Sequence, residues 1–125
     1  DAYRKRAQRL ARAVRAGVKA MGMNLVADVP ADGLTAAFLP EGIDVPTFLR
    51  RLEEGYGVKL AGGQGPLTGK ICRIAHMGAI DTGDVLGTLA AIGMVLREMG
   101  LDISPGDGVT AAQNQLLQET SNSSR

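Results

Sequence analysis

Gly57-Val58-Lys59-Leu60-Ala61-Gly62-Gly63-Gln64-Gly65-Pro66-Leu67-Thr68-Gly69-Lys70-Ile71-Cys72-Arg73-Ile74-Ala75-His76-Met77-Gly78 is the stretch that decides the architecture. Val58 to Ala61 has the composition of a short strand, and Ile71 to His76 that of a second one. Between them, Gly62 to Gly69 is too rich in Gly, Pro and Thr to be anything but a loop. A strand, a glycine loop and a strand need an apolar layer to cover them, and the flanking sequence supplies it.

Upstream, Asp44 is placed to cap a helix that has Pro46 in its first turn. Its apolar set is Val45, Phe48, Leu49 and Leu52, and it ends at Gly55 or Gly57. Downstream, Asp81 opens a helix with Asp84 in the first turn. Val85, Leu86, Leu89, Ile92, Leu96 and Met99 form its stripe and Gly100 closes it. Further out, Tyr3, Ala7, Leu10, Ala11, Val14, Val18 and Met21 recur at helical spacing before Gly22. Asn24–Ala27 and Gly33–Leu39 read as strands around the turn Pro30-Ala31-Asp32-Gly33. Helix, two strands, helix, two strands, helix predicts an α+β two-layer sandwich, with a small, mostly antiparallel sheet covered on one face by helices. One domain is expected over residues 1–103. Residues 104–125 read as a linker from Ser104 to Gly108, with room for one short terminal helix over Val109–Gln118, and a disordered tail from Thr120.

The chain has 125 residues and a net charge of +1, with a single cysteine and a single histidine. That length suits one core, and no run reaches the roughly 20 apolar residues a membrane helix requires. The charge balance gives no general attraction to nucleic acid or to anionic lipid, and aromatic residues are too few for a base-stacking platform. Arg4, Arg9, Arg12, Arg15 and Lys19 line one side of the first helix and read as a solvated face rather than an anion-binding surface. One cysteine excludes an internal disulfide and fits a reducing compartment, so a cytoplasmic location is expected. The first residues look like the body of a helix, which leads us to expect that the chain starts inside a longer protein.

Gly69-Lys70 invites a phosphate-loop reading, which fails. The spacing needs glycine where Gln64 stands, Ile71 replaces the magnesium-holding hydroxyl residue, and a strand follows in place of a helix. Arg73 alternates with Cys72 and Ile74 on its strand and points to the face opposite them. Its planar fork matches a carboxylate with two parallel hydrogen bonds, which makes it a candidate for binding a small acid; a plain surface arginine is the alternative. Cys72 and His76 share the other face, but two ligands do not make a zinc site, and a buried Cys72 is inert; no metal is expected. Lys59 and Lys70 read as solvated, and Met94 and Met99 as core.

The run from Gly62 to Ile74, followed by Met77-Gly78 and the helix from Asp81, resembles the C-terminal segment of class V aminotransferases of the alanine–glyoxylate and serine–glyoxylate (serine–pyruvate) type. The resemblance extends over nearly the whole chain, including the Ala36-Ala37-Phe38-Leu39-Pro40 strand ending. It implies the small domain of a fold-type I enzyme that uses pyridoxal phosphate to move an amino group between a small amino acid and a 2-oxo acid. It further implies that Arg73 binds the substrate carboxylate and that Gly62, Gly63, Gln64 and Gly65 line the active-site mouth. The Schiff-base lysine and the aspartate under the pyridine nitrogen belong to the large domain of such enzymes, so no catalytic residue is expected in this chain, and alone it should be inactive. The implied partners are its own large domain, a second subunit in a homodimer, and the amino- and oxo-acid substrates. The alternative is a stand-alone module that binds an amino or organic acid without chemistry.

Overall fold

In the computed structural model, residues 2–27, 33–75 and 80–123 are described. Helix α1 runs Ala2–Ala20 and buries Ala7, Leu10, Ala11, Val14 and Val18, the expected stripe, together with Ala13 and Gly17. Tyr3, expected in that stripe, is half exposed in the first turn. Gly22 takes φ +86° and stops the helix. Its N–H donates to Lys19 O at 3.1 Å and that of Met23 to Val18 O at 3.1 Å, so the last carbonyls are satisfied as the chain turns away.

The chain then forms β1 (Asn24–Leu25) and β2 (Leu34–Phe38), helix α2 (Val45–Tyr56), β3 (Ala61–Gly62), β4 (Ile71–Ala75), helix α3 (Thr82–Glu98) and helix α4 (Asp107–Ser123). Asp44 caps α2 by accepting from Thr47 N, and Asp81 with Asp84 forms the reciprocal capping box of α3, both as the sequence announces. The strand expected over Val58–Ala61 pairs only from Ala61 onward. Val58 N–H is drawn instead to Leu52 O, closing the end of α2, so it cannot join the ladder. Pro30 to Asp32 of the expected turn, and His76 to Ala79 after β4, lie outside the described residues.

The sheet has the order β1-β2-β4-β3 with every neighbouring pair antiparallel. Thr35 and Ala37 of β2, and Cys72 and Ile74 of β4, are buried against the helices. The core closes over them with Leu10, Val14 and Val18 of α1, Phe48 and Leu52 of α2, and Val85, Leu89, Ile92 and Leu96 of α3. At 0% exposure, Phe48 and Leu89 are positions where truncation to alanine costs about 2–5 kcal/mol. Among the described residues Met21 and Met23 are the buried methionines, whereas Met94 and Met99 are only partly buried.

The C-terminal segment is more ordered than its composition predicts. In place of a ten-residue helix with a disordered tail, α4 spans 17 residues and lies against α1 and α3 rather than the sheet. Ala112 and Leu116 are buried there, and Thr120 donates its hydroxyl proton to Leu116 O at 3.0 Å. The basic side of α1 is correspondingly not left to solvent along its length. Arg9 Nη2 donates to Thr120 Oγ1 at 3.0 Å, and Arg12 Nε pairs with Glu119 Oε1.

Candidate functional site

Strand β4 is an inner strand, so Arg73 has a neighbour on each side: Ala36 across β2 and Ala61 across β3. Residues directly opposite in antiparallel pairs share a face, so both lie on the Arg73 side. Two methyl groups leave a flat floor on which a long side chain can lie. The guanidinium is half-buried, and its Nε donates to Gly62 O at 2.7 Å, at the point where β3 runs into the glycine loop. Among the described residues Arg73 enters no ion pair, unlike Arg12, Arg51 and Arg97. With Nε engaged, the Nη1 and Nη2 edge is the part of the fork that remains for a ligand, and that edge accepts a carboxylate with two parallel bonds.

The same sheet face carries Leu34, Phe38, Ile71 and Ala75 around the charge. Ile71 is 2% exposed although it faces away from the helices. The loop explains this: a Cβ added at Gly63 would stand 2.8 Å from Ile71 Cγ1 and 2.2 Å from Leu67 O. The chain therefore folds back tightly over the start of β4. A single 3-10 turn, Gly65–Leu67, makes the reversal, with Leu67 N–H donating to Gln64 O and Thr68 N–H to Gly65 O. Gly65 has φ +56° at its start, and Gln64 is exposed beside it. Of the four loop residues singled out from the sequence, Gly62 is the direct partner of Arg73.

Cys72 is not brought to this face. It is fully buried on the helix side, and burial pushes its thiol up to about 12, so it stays protonated and unreactive at neutral pH. His76 lies outside the described residues. Among the described residues, no group of three His, Cys, Asp or Glu side chains could hold a metal ion, and no helix is long and apolar enough to cross a membrane. Pyridoxal phosphate is held through a lysine Schiff base. Lys5, Lys19, Lys59 and Lys70 are all exposed, so the residues of this chain do not by themselves fit a cofactor pocket. A hollow of about 500 Å³ opens between the end of α2, the Val58–Leu60 run and the start of α3, but Arg73 does not line it.

No protein-family profile matches the chain. Against individual proteins, it is 44% identical over 117 residues to an uncharacterised aminotransferase of Methanocaldococcus jannaschii, covering 92% of this chain and 30% of that protein. It is 34% identical over 112 residues to a serine–glyoxylate aminotransferase of Methylorubrum extorquens, covering 87% and 28%. The crystal structure of pyridoxamine–pyruvate aminotransferase from Mesorhizobium loti superposes with a TM-score of 0.85 at 30% identity, covering 92% of this chain and 30% of that one. The chain matches a C-terminal part of the class V aminotransferases of the serine/alanine–glyoxylate type. It spans about 30% of the length of the relatives it matches. The small antiparallel sheet with helices on one face is the architecture this small domain shares with its structural neighbours.

Proposed function

We propose that this chain serves as the small domain of a pyridoxal-phosphate-dependent aminotransferase that transfers an amino group between a small amino acid, alanine or serine, and a 2-oxo acid such as glyoxylate or pyruvate. Its contribution is Arg73, which binds the substrate carboxylate through Nη1 and Nη2. Gly62, Gly63, Gln64 and Gly65 form the wall beside it. The observation that carries this reading is a guanidinium on an alanine floor, steadied at Nε by Gly62 O and with no carboxylate partner among the described residues. A guanidinium held at one end and open at the other orients an acid without reacting with it.

The cofactor would be held by residues of the large domain, and the chain alone does not transaminate. The open sheet face, with Leu34 and Phe38 near the charge, is the side turned to that domain; a homodimer in the cytoplasm completes the assignment. Relatives named for glyoxylate and pyruvate support a small acceptor. The test is steady-state kinetics on the enzyme expressed from the native gene. Arg73→Ala is expected to raise KM for the amino and oxo acids and to lower kcat as well, because a misoriented substrate reacts slowly. Both constants staying within about twofold, a difference under roughly 0.5 kcal/mol, would sink the assignment.

A further inference from the structure

We infer that Gly63 is a positioning residue for Arg73: its missing side chain sets the peptide plane whose carbonyl oxygen holds the guanidinium. The inference rests on the reading of Arg73 as the carboxylate-binding group. Gly62 O and Gly63 N belong to one planar peptide unit, so the Gly62 oxygen cannot keep its direction if the Gly63 Cα is displaced. A Cβ at Gly63 would lie 2.2 Å from Leu67 O and 2.7 Å from Leu67 C, both backbone atoms. Neither can step aside cheaply. Leu67 O accepts from Lys70 N at 3.0 Å, and Lys70 adjoins β4, while Leu67 N is tied to Gln64 O at 3.1 Å. The turn is braced on both sides, so any side chain at residue 63 is accommodated by moving residue 63 itself and, with it, the Gly62 carbonyl. Arg73 Nε, 2.7 Å away, then loses its acceptor or follows it. The side chain is flexible and its floor is two alanines, so no other contact with these neighbours would hold the fork in place.

Arginine NMR on the 15N,13C-labelled 125-residue chain tests this directly. In the wild type, the Arg73 Hε signal, assigned by its loss in Arg73→Ala, should exchange slowly with water and show a through-hydrogen-bond coupling to the Gly62 carbonyl carbon. In Gly63→Ala the coupling should vanish and Hε exchange accelerate by about tenfold or more, as expected when a hydrogen bond from a charged group is lost. Gly55→Ala, at a position with open space around it, should leave both unchanged. Inserting one glycine after Gly65 in the Gly63→Ala chain lets the Leu67 carbonyl withdraw and should restore slow exchange; this variant also decides the matter should Gly63→Ala alone fail to fold. Unaltered Hε exchange in folded Gly63→Ala, or rapid exchange in the extended variant, overturns the inference. Pyruvate titration of the enzyme expressed from the native gene separates it from the parent reading. Wild type and Arg73→Ala binding pyruvate alike would defeat the carboxylate assignment and leave the positioning result standing. Weakening in Arg73→Ala but not in Gly63→Ala would defeat the positioning role alone.

Discussion

Two sets of arginines divide this molecule. On α1, Arg9 and Arg12 reach across to α4, where Thr120, the Leu116 carbonyl and Glu119 take up their hydrogens. On β4, Arg73 commits only Nε, to a backbone oxygen, and keeps the rest of its fork clear of protein carboxylates among the described residues. The side chains are identical and so is their charge. What differs is whether the partner is built into the fold. An arginine whose partners are helical side chains fastens two elements; one steadied by a carbonyl beside a glycine loop is set up for a partner that arrives from outside.

The largest expected effect separates the two sets by activity. In the full enzyme, Arg73→Ala should lower kcat/KM by roughly tenfold to a hundredfold, the loss of a charge-assisted contact of about 1.5–3 kcal/mol. Arg12→Ala should leave kcat/KM within about twofold. Steady-state assays of both variants suffice, and equal losses would erase the distinction between a fastening and a binding arginine.

Next in size is a test of the fastened side that leaves every arginine in place. The segment joining α3 to α4 lies directly on α3, so that a Cβ at Gly93 would stand 2.0 Å from Pro105 O. Gly93→Ala should therefore destabilise the chain by about 1–3 kcal/mol through overpacking, even though alanine is the better helix former by roughly 1 kcal/mol. Urea unfolding measures it. A stabilised Gly93→Ala would mean that α4 is not seated against the helical layer.

A comparable cost comes from beneath the sheet. The Cys72 thiol has its folded pKa raised to about 12 by burial, above the value of about 8.5 expected for the unfolded chain. The stability this contributes is fully present below the unfolded pKa and is lost as pH rises through the folded one. Between pH 9 and pH 11 the chain should lose on the order of 1–3 kcal/mol, and Cys72→Ala should lose less over the same interval. Native Cys72 should also resist thiol reagents at pH 8 and react fully in denaturant. Rapid labelling of the folded chain would show that β4 is not covered as described, and the opposed faces of Cys72 and Arg73 would then be in doubt.

The sequence shows some of this division and hides the rest. Caps at Asp44 and Asp81, the stripe of α1 and the alternation of Cys72, Arg73 and Ile74 are local signals, and they appear where expected. The partner of Arg73 is not local: Gly62 is brought to it by strand pairing, and only the glycines foretell that a backbone comes close. The end of the chain hides most. Ser104-Pro105-Gly106-Asp107-Gly108 reads as a linker from its turn-forming composition, and the structure instead starts α4 at Asp107, whose Oδ2 accepts from Ser104 N at 3.2 Å. The run from Thr120 reads as disordered because the contact that holds Thr120 comes from Arg9, more than a hundred residues away.

The smallest predicted effect bears most directly on what a fastening arginine is worth. The Arg12 side chain is 44% exposed and that of Glu119 17%, so water screens one end of the pair while the other is partly enclosed. An exposed pair contributes about 0.2–1 kcal/mol. Glu119 Oε2 is buried without a hydrogen-bond partner among the described residues, which puts Arg12→Ala toward the upper end, because the carboxylate left behind cannot fully rehydrate. Thermal unfolding should show a loss near 1 kcal/mol in low salt, shrinking in about 1 M salt as exposed charge is screened. Glu119→Gln, which removes the orphaned charge along with the pair, should cost less than Arg12→Ala. If Arg12→Ala instead cost about 3 kcal/mol and ignored salt, the pair would behave as a buried one. The α1–α4 seam would then be a core contact, and α4 would be as integral to the domain as the sheet that carries Arg73.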